Sequence, residues 1–305
     1  MLRGCRLDAA APLLILHLAI RVTQVRICAQ IAPAGSKNRP DNIFQVVYND
    51  SMRLRNIPEA KEIVAKSPYV IKNPAERKGM WKTFSRGPLY VEIGTGKGRF
   101  LMELAARHPE NEYLGVEMYE SVLMRACQKM EGRAAMDPAS RSIDAMEREK
   151  SSPRLPEGED DAAFVPPQNL HFLRMDARGL PEVFAENEVA GIYLNFSDPW
   201  PKARHSKRRL TSREFLALYE KFLVDEGVLE FKTDNRALFD FSVEEFSDAP
   251  NWELRAVTYD LHNDEVMGEG NIMTEYERKF SLLGNKINKL IAVYRRPSAE
   301  EQAEP

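Results

Sequence analysis

The stretch that most restricts the fold of this chain is residues 89–98, LYVEIGTGKG. Residues typical of a buried strand run into three alternate glycines, and apolar residues at helical spacing follow at Phe100, Leu101 and Leu104. A strand, a glycine loop and a helix in this order form the ligand site at the carboxyl edge of a parallel sheet. The pattern therefore predicts an α/β fold in which this loop contacts a ligand.

The spacing of the glycines narrows the class of ligand. A dinucleotide-binding loop needs G-x-G-x-x-G, whereas Gly94, Gly96 and Gly98 follow G-x-G-x-G, with Glu92 two residues before the first glycine. Glycines allow the backbone to approach a bulky ligand closely. A carboxylate beside them suits a cationic ligand better than a pyrophosphate. S-adenosylmethionine carries an amine and a sulfonium, so this loop favours it.

Further acids follow other predicted strands. Glu117 ends the second strand, Asp176 follows the third, and the fourth (residues 192–196) leads to Asp198. The carboxyl ends of parallel strands meet at one edge of a sheet, where Glu117 could accept hydrogen bonds from ribose hydroxyls. Asp176 could accept one from an adenine amino group. Taken alone, Glu117 is equally compatible with an exposed acid at a strand end.

The fourth strand is followed by a loop that we call the DPWP loop, residues 198–201. Pro199 and Pro201 stiffen it because each fixes φ near −65° and lacks an N–H donor. Trp200, between them, either packs on a ligand or only wedges the loop. The basic segment, residues 202–209, comes next and contains Lys202, Arg204, His205, Ser206, Lys207, Arg208 and Arg209. A carboxylate, an aromatic ring and clustered cations indicate a site for a polyanion that carries a base; the alternative is a solvated charge run.

Composition limits the other possibilities. The net charge of −3 over 305 residues means that binding to a polyanion must come from a local basic patch. Three widely spaced cysteines form neither a disulfide framework nor a metal cluster and fit a reducing compartment. The apolar run at residues 11–20 is about half the length that a membrane span needs. We expect a cytoplasmic protein without a metal or a membrane anchor.

The organisation of the chain is predicted as follows. Residues 1–51 form an extension that is disordered or not native, and residues 52–297 form the main domain. An insertion rich in proline and charge occupies about 132–168, and an acidic tail occupies 298–305. Helices are expected at 57–65, 119–130, 212–223 and 236–246, with Cys127 in the core and a Thr211–Glu214 capping box. Later strands are expected at 228–232, 252–259 and 287–295.

Four ordered motifs resemble one known family. They are VEIGTGKG at 91–98, NFSDPWPK with RH and KRRLT at 195–211, FKTDN at 231–235, and TEYE with KF and Gly284 at 274–284. Together they resemble the bacterial tRNA (guanine-N7-)-methyltransferases over about residues 52–294. The resemblance implies a class I methyltransferase, a Rossmann-like fold with a seven-stranded, mostly parallel sheet and helices on both faces. It also implies methyl transfer from S-adenosyl-L-methionine to N7 of a variable-loop guanosine in tRNA.

The resemblance also implies roles for individual residues. Asp198 would be catalytic, and the cofactor would contact Glu92, Gly94, Gly96, Gly98, Glu117, Asp176 and Asp198. The substrate would contact Lys202, Asp234, Thr274, Glu275, Tyr276 and Glu277, and RNA would contact Arg204, His205, Ser206, Lys207, Arg208 and Arg209. The expected partner is tRNA, and the expected state is a monomer or a homodimer.

Two other classes of function stay open at this point. One is a class I methyltransferase that acts on a protein or a small molecule, which the basic segment disfavours. The other is an RNA-binding protein with a vestigial cofactor fold, which the acids at four strand ends disfavour.

Overall fold

The structure, a computed structural model, describes residues 57–132 and 165–297. All of these residues belong to one compact unit, Leu54–Pro305. The predicted N-terminal extension and acidic tail lie outside the described residues, as does most of the predicted insertion.

A seven-stranded mixed sheet forms the centre of this unit. The strands are β1 (Leu89–Ile93), β2 (Glu112–Glu117), β3 (Leu170–Arg174), β4 (Val189–Asn195), β5 (Leu223–Thr233), β6 (Trp252–Thr258) and β7 (Asn288–Tyr294). Their order is β3-β2-β1-β4-β5-β7-β6, and all neighbours are parallel except that β7 runs antiparallel to β5 and β6. The order reverses between β1 and β4, and in open α/β sheets such a switch point opens a ligand crevice.

Helices cover the sheet. They are α1 (Ala60–Lys66), α2 (Trp81–Phe84), α3 (Arg99–Arg107), α4 (Glu120–Met130), α5 (Leu180–Val183), α6 (Arg213–Tyr219), α7 (Arg236–Asp248) and α8 (Glu275–Leu282). Short 3₁₀ helices lie at Pro74–Arg77, Ala177–Gly179, Ala203–Arg208 and Leu261–Asn263. In the parts of the chain that the structure describes, no helix is both long and apolar enough to cross a membrane.

Two hydrophobic clusters fill the two faces of the sheet. Along β1, Leu89, Val91 and Ile93 pack into one cluster, with residues of α6 and α7, whereas Tyr90 packs against the other, with residues of α3 and α4. This alternation is the two-residue period of a strand with both faces covered. The predicted α/β fold with helices on both faces is confirmed. Cys127 is fully buried in the second cluster, as expected.

The region between β4 and β5 differs from the prediction. The helix ends at Tyr219 rather than at 223, because the chain turns and β5 already begins at Leu223, which pairs with Val189 of β4. The capping box is wrong. Ser212 is the N-cap residue, and the Thr211 hydroxyl lies 2.7 Å from the hydroxyl of Ser242 in α7.

Candidate functional site

The glycine loop leaves β1 and enters α3 through three residues with positive φ: Gly94 (80°), Gly96 (60°) and Gly98 (77°). Only glycine adopts this region freely. A Cβ atom at Gly94 or Gly96 would meet nothing within 4 Å, so a ligand can approach the backbone there. At Gly98 it would meet Met102 at 3.0 Å and Ala126 at 3.1 Å, so this third glycine allows close packing of α3.

Glu92 lies at the end of β1 and is only 2% exposed. Its carboxyl accepts a hydrogen bond from the Thr95 hydroxyl at 2.7 Å and one from the Asn195 amide of β4 at 2.8 Å. Burial raises the pKa of this carboxyl to about 7, although both donors oppose the shift. The loop and the neighbouring strand therefore hold Glu92 in place before any ligand binds.

Glu117 ends β2 beside the loop. Its carboxyl accepts from the backbone N–H of Gly96 at 3.2 Å and of Tyr119 at 2.9 Å. Burial raises the pKa of Glu117, and the negative charge of Asp198 contributes to the same shift. Glu117 thus links the ends of β1 and β2 and lies close to the acid that follows β4.

Two acids are exposed at this edge. Asp176 is the N-cap residue of the 3₁₀ helix after β3 and accepts from Arg178 N–H at 2.9 Å. Asp198 is also exposed, and its side chain accepts no hydrogen bond from any residue in 57–132 or 165–297, yet partial desolvation still raises its pKa. The pKa of the Tyr119 phenol is raised first by burial and then by the negative charges of Asp198, Glu117 and Asp176. The charges of all three acids therefore act on this one side chain.

The DPWP loop and the basic segment are packed against each other. Phe196 (φ 53°) and Trp200 (φ 41°) adopt a conformation that is uncommon for residues other than glycine. The Arg209 guanidinium donates to the backbone carbonyls of Pro199 at 3.1 Å and Trp200 at 3.2 Å. Arg208 lies 4.9 Å from the Trp200 ring centroid, and the His205 ring meets Trp200 edge-on at 5.8 Å. These contacts show Trp200 wedged within its own loop; its packing on a ligand stays a prediction.

The remaining cations of the basic segment face solvent. Lys202, Arg204 and Lys207 are exposed, and Lys207 forms a surface ion pair with Glu214 at 3.1 Å. Slight desolvation and the charges of Arg208, Arg204 and Lys202 lower the pKa of His205. The cations of the segment therefore disfavour the charged form of the His205 imidazole, and Ser206 lies half-buried within its 3₁₀ helix.

The predicted substrate residues at the start of α8 make contacts within the protein. Thr274 is the N-cap residue and accepts from Glu277 N–H at 2.9 Å, and Glu275 pairs with Lys129 of α4. Tyr276 stacks on Phe280, with ring centroids 4.0 Å apart, and lies 4.8 Å from the ring of Phe196. Among these four residues, Tyr276 thus contacts Phe196, two residues before the DPWP loop.

Glu277 is fully buried at the centre of a polar network. Its carboxylate accepts from the Lys232 ammonium of β5 at 2.7 Å and the Asn271 amide at 2.7 Å, and contacts His262 at 2.9 Å. Burial alone would raise the pKa of Glu277, but Lys232 and the other partners hold it below its usual value. The structure gives Glu277 the role of an internal anchor, and its direct contact with a substrate stays a prediction that this burial does not favour.

Asp234 follows β5 and is half-buried, with its carboxylate accepting from the Asn285 amide at 2.9 Å. Several residues in this site had no predicted role. Asn195 was foreseeable, because β4 neighbours β1 and both strands end at this edge. His262 and Asn271 gave no local signal in the sequence. Within the described ranges, no cluster of three or more potential ligands could hold a metal ion.

Comparisons with known proteins identify the family of this chain. A family model described as a putative methyltransferase matches residues 86–290, more than half of the chain. A tRNA (guanine-N(7)-)-methyltransferase of Lachnoclostridium phytofermentans is 48% identical over 243 residues, covering 79% of this chain and 98% of that protein. Proteins with the same name from Geobacillus sp. (47% over 246 residues; 80% and 96% covered) and Enterococcus faecalis (44% over 244 residues; 79% and 98% covered) are also similar. The region matched by the family model contains β1 to β6, the glycine loop and the DPWP loop described above, and the chain belongs to the tRNA (guanine-N(7)-)-methyltransferase family.

Proposed function

We propose that this protein transfers a methyl group from S-adenosyl-L-methionine to N7 of a variable-loop guanosine in tRNA. The observation that carries the proposal is the position of Asp198. It is an exposed carboxylate that accepts no hydrogen bond from the described residues, near Glu117, at the start of a loop that leads directly into the basic segment.

The residues around the glycine loop fit the proposed cofactor. When bound, S-adenosyl-L-methionine supplies an electrophilic methyl group on a sulfonium. The open space above Gly94 and Gly96 admits a bulky ligand against the backbone. Glu92 and Glu117 supply negative charge for its cationic end and its ribose, and Asp176 supplies an acceptor for its adenine amino group. A cation beside Glu92 would also favour the ionised form of a carboxyl whose pKa burial raises to about 7.

The chemistry requires alignment more than proton transfer. Guanine N7 has an in-plane lone pair, so no proton must leave before it attacks. Holding the nucleophile in line with the methyl carbon and sulfur provides a large entropic advantage. The purine becomes cationic as the bond forms, and a nearby carboxylate stabilises that charge. Asp198 supplies this anion, and Asp198 or Asp234 accepts hydrogen bonds from the guanine N1–H and amino group.

The basic segment supplies the contacts with RNA. Lys202, Arg204 and Lys207 are exposed beside the DPWP loop and can neutralise phosphates. Phosphate contacts carry little sequence information, so the shape of the folded tRNA selects the loop base. Tyr276, stacked on Phe280 near Phe196, adds an aromatic surface on the same side. This cluster of cations matches a polyanionic substrate and disfavours a protein or a small molecule as the substrate.

The proposal is tested with purified protein, methyl-labelled S-adenosylmethionine and an unmodified tRNA transcript. We expect the label to appear as N7-methylguanosine after digestion to nucleosides. The Asp198→Ala variant is expected to keep its fold, measured by circular dichroism, and to transfer no methyl group. Transfer to a protein or a small molecule but not to tRNA would contradict the proposed substrate. Cofactor binding without any transfer would contradict the proposed activity.

A further inference from the structure

Arg209 differs from the other cations of the basic segment in what its side chain touches. Its Nε donates to the carbonyl oxygen of Pro199 at 3.1 Å, and its Nη2 donates to that of Trp200 at 3.2 Å. Two donors of one planar guanidinium thus bind two successive carbonyls. A guanidinium presents its donors in a rigid fork, so this pair of bonds fixes the orientation of the peptide planes as well as their distance.

The other side of Arg209 is held by the scaffold. Its guanidinium lies 4.2 Å from the ring centroid of Phe241 in α7, and Phe241 packs against the main hydrophobic cluster. A cation over an aromatic face is attracted by the ring and keeps its orientation. Arg209 therefore connects the DPWP loop to a helix whose position is set by core packing.

The loop that Arg209 binds needs such support. Phe196 and Trp200, on either side of Asp198, both have positive φ, a conformation that costs free energy in residues other than glycine and persists only where the surroundings impose it. Asp198 itself accepts no hydrogen bond from the described residues, so nothing else in this part of the chain orients its carboxylate directly. Its position is set by the backbone on both sides, and Arg209 holds the backbone that follows.

We propose that Arg209 is a positioning residue: it holds the Pro199 and Trp200 carbonyls and thereby keeps Asp198 aligned with the reacting base, instead of contacting RNA. This proposal rests on the catalytic role proposed for Asp198. It divides the basic segment into two parts. Lys202, Arg204 and Lys207 bind phosphate, whereas Arg209 acts within the protein, with its Nε and Nη2 donors already bonded to carbonyl oxygens.

The test compares Arg209→Ala and Arg209→Lys with Arg204→Ala and with a control, Arg295→Ala. Arg295 forms surface ion pairs with Glu226 and Glu253. It follows β7, which runs antiparallel to β5, so it lies at the opposite ends of the strands from the glycine loop. For each variant, kcat and KM for tRNA, the Kd for tRNA and the thermal midpoint are measured. Hydrogen–deuterium exchange of the backbone at residues 196–202, without tRNA, reports on the loop independently of activity.

We expect Arg209→Ala to lower kcat by about a hundredfold, the effect of a misplacement of about 1 Å. Its Kd for tRNA should stay within about twofold of the wild type, because no phosphate contact is lost. Exchange at 196–202 should increase, and Arg209→Lys should restore only part of kcat, because an ammonium lacks the fork. Arg204→Ala should show the reverse pattern, with weaker tRNA binding and unchanged exchange, and Arg295→Ala should resemble the wild type.

Two results would overturn the proposal. One is an Arg209→Ala variant with weakened tRNA binding, normal kcat at saturating tRNA and unchanged exchange, which would make Arg209 an RNA contact. The other is full rescue of kcat by lysine, which would show that charge alone is needed. If the wild type methylates no tRNA, the proposed function fails, yet the exchange measurement still decides whether Arg209 holds the loop.

Discussion

Glu277 is the residue whose substitution most clearly separates an internal anchor from a substrate contact. In Glu277→Ala the Lys232 ammonium, only 4% exposed, loses the carboxylate at 2.7 Å and keeps two neutral acceptors among the described residues, Asn271 and the Ile272 carbonyl. Removing one partner of a buried ion pair costs about 3–5 kcal/mol, because the other charge stays buried without compensation. We therefore expect the free energy of unfolding to fall by about that amount.

For a domain of this size each kcal/mol lowers the thermal midpoint by about 2–4 °C, so the expected decrease is roughly 6–20 °C. Urea denaturation measures the free energy directly. The matched control is Glu62→Ala, which breaks an exposed ion pair with Lys66 and should leave the midpoint unchanged. The double variant Lys232→Met with Glu277→Leu should recover part of the lost stability, because it removes the uncompensated ammonium, while the Asn271 amide and His262 still lose their acceptor.

The opposite outcome would refute this reasoning about the network. If Glu277→Ala unfolds with a free energy within about 1 kcal/mol of the wild type but transfers no methyl group, the carboxylate does not act as an anchor. Glu277 would then be a substrate contact, as the family resemblance implied, and the buried network would have to open when tRNA binds.

Three further predictions concern the cofactor site and the RNA contacts. Since burial raises the pKa of Glu92 from 4.5 to about 7, its contribution to stability is full below pH 4.5 and is lost as the pH rises through about 7. The Glu92→Gln variant should not show this loss. In urea titrations, the free energy of unfolding of the wild type should therefore fall by about 3 kcal/mol relative to that of the variant between pH 4.5 and about 7. Parallel plots of unfolding free energy against pH for the two proteins would contradict the pKa shift. Asp198→Ala should still bind S-adenosylmethionine in calorimetry, within about tenfold of the wild type, while methylation is lost. Lys202→Ala with Arg204→Ala should reduce the slope of log Kd for tRNA against log salt by about one to two, and an unchanged slope would show that neither residue contacts phosphate.

The parts of the molecule that depend on local sequence were predictable. The strand β1 was predicted with the bounds that the structure shows, because a strand that ends at a glycine loop is marked by adjacent residues. The acids at the ends of β2, β3 and β4 also gathered at one edge, because parallel strands share the direction of their carboxyl ends.

Contacts between distant segments were not predictable in the same way. Lys232 and Glu277 are separated by 45 residues and meet only because α8 packs beside the end of β5. The hydrogen bonds of Arg209 are to backbone carbonyls, which carry no signal in the sequence, so its predicted contacts could not be distinguished from those of the cations that face solvent. The capping box failed because the helix begins one residue later than predicted, with Ser212 as its N-cap residue, and the Thr211 hydroxyl instead bonds with Ser242 of another helix.

We propose that a tRNA guanosine is methylated beside Asp198, at the edge of the sheet where the acids lie and next to the basic segment. The most direct measurement is mass spectrometry of nucleosides from tRNA of a strain in which the gene is deleted. We predict that N7-methylguanosine is lost, returns with the wild-type gene, and does not return with Asp198→Ala expressed at the same level. Unchanged N7-methylguanosine in the deletion strain would contradict the proposed activity, and its full return with Asp198→Ala would contradict the proposed role of Asp198.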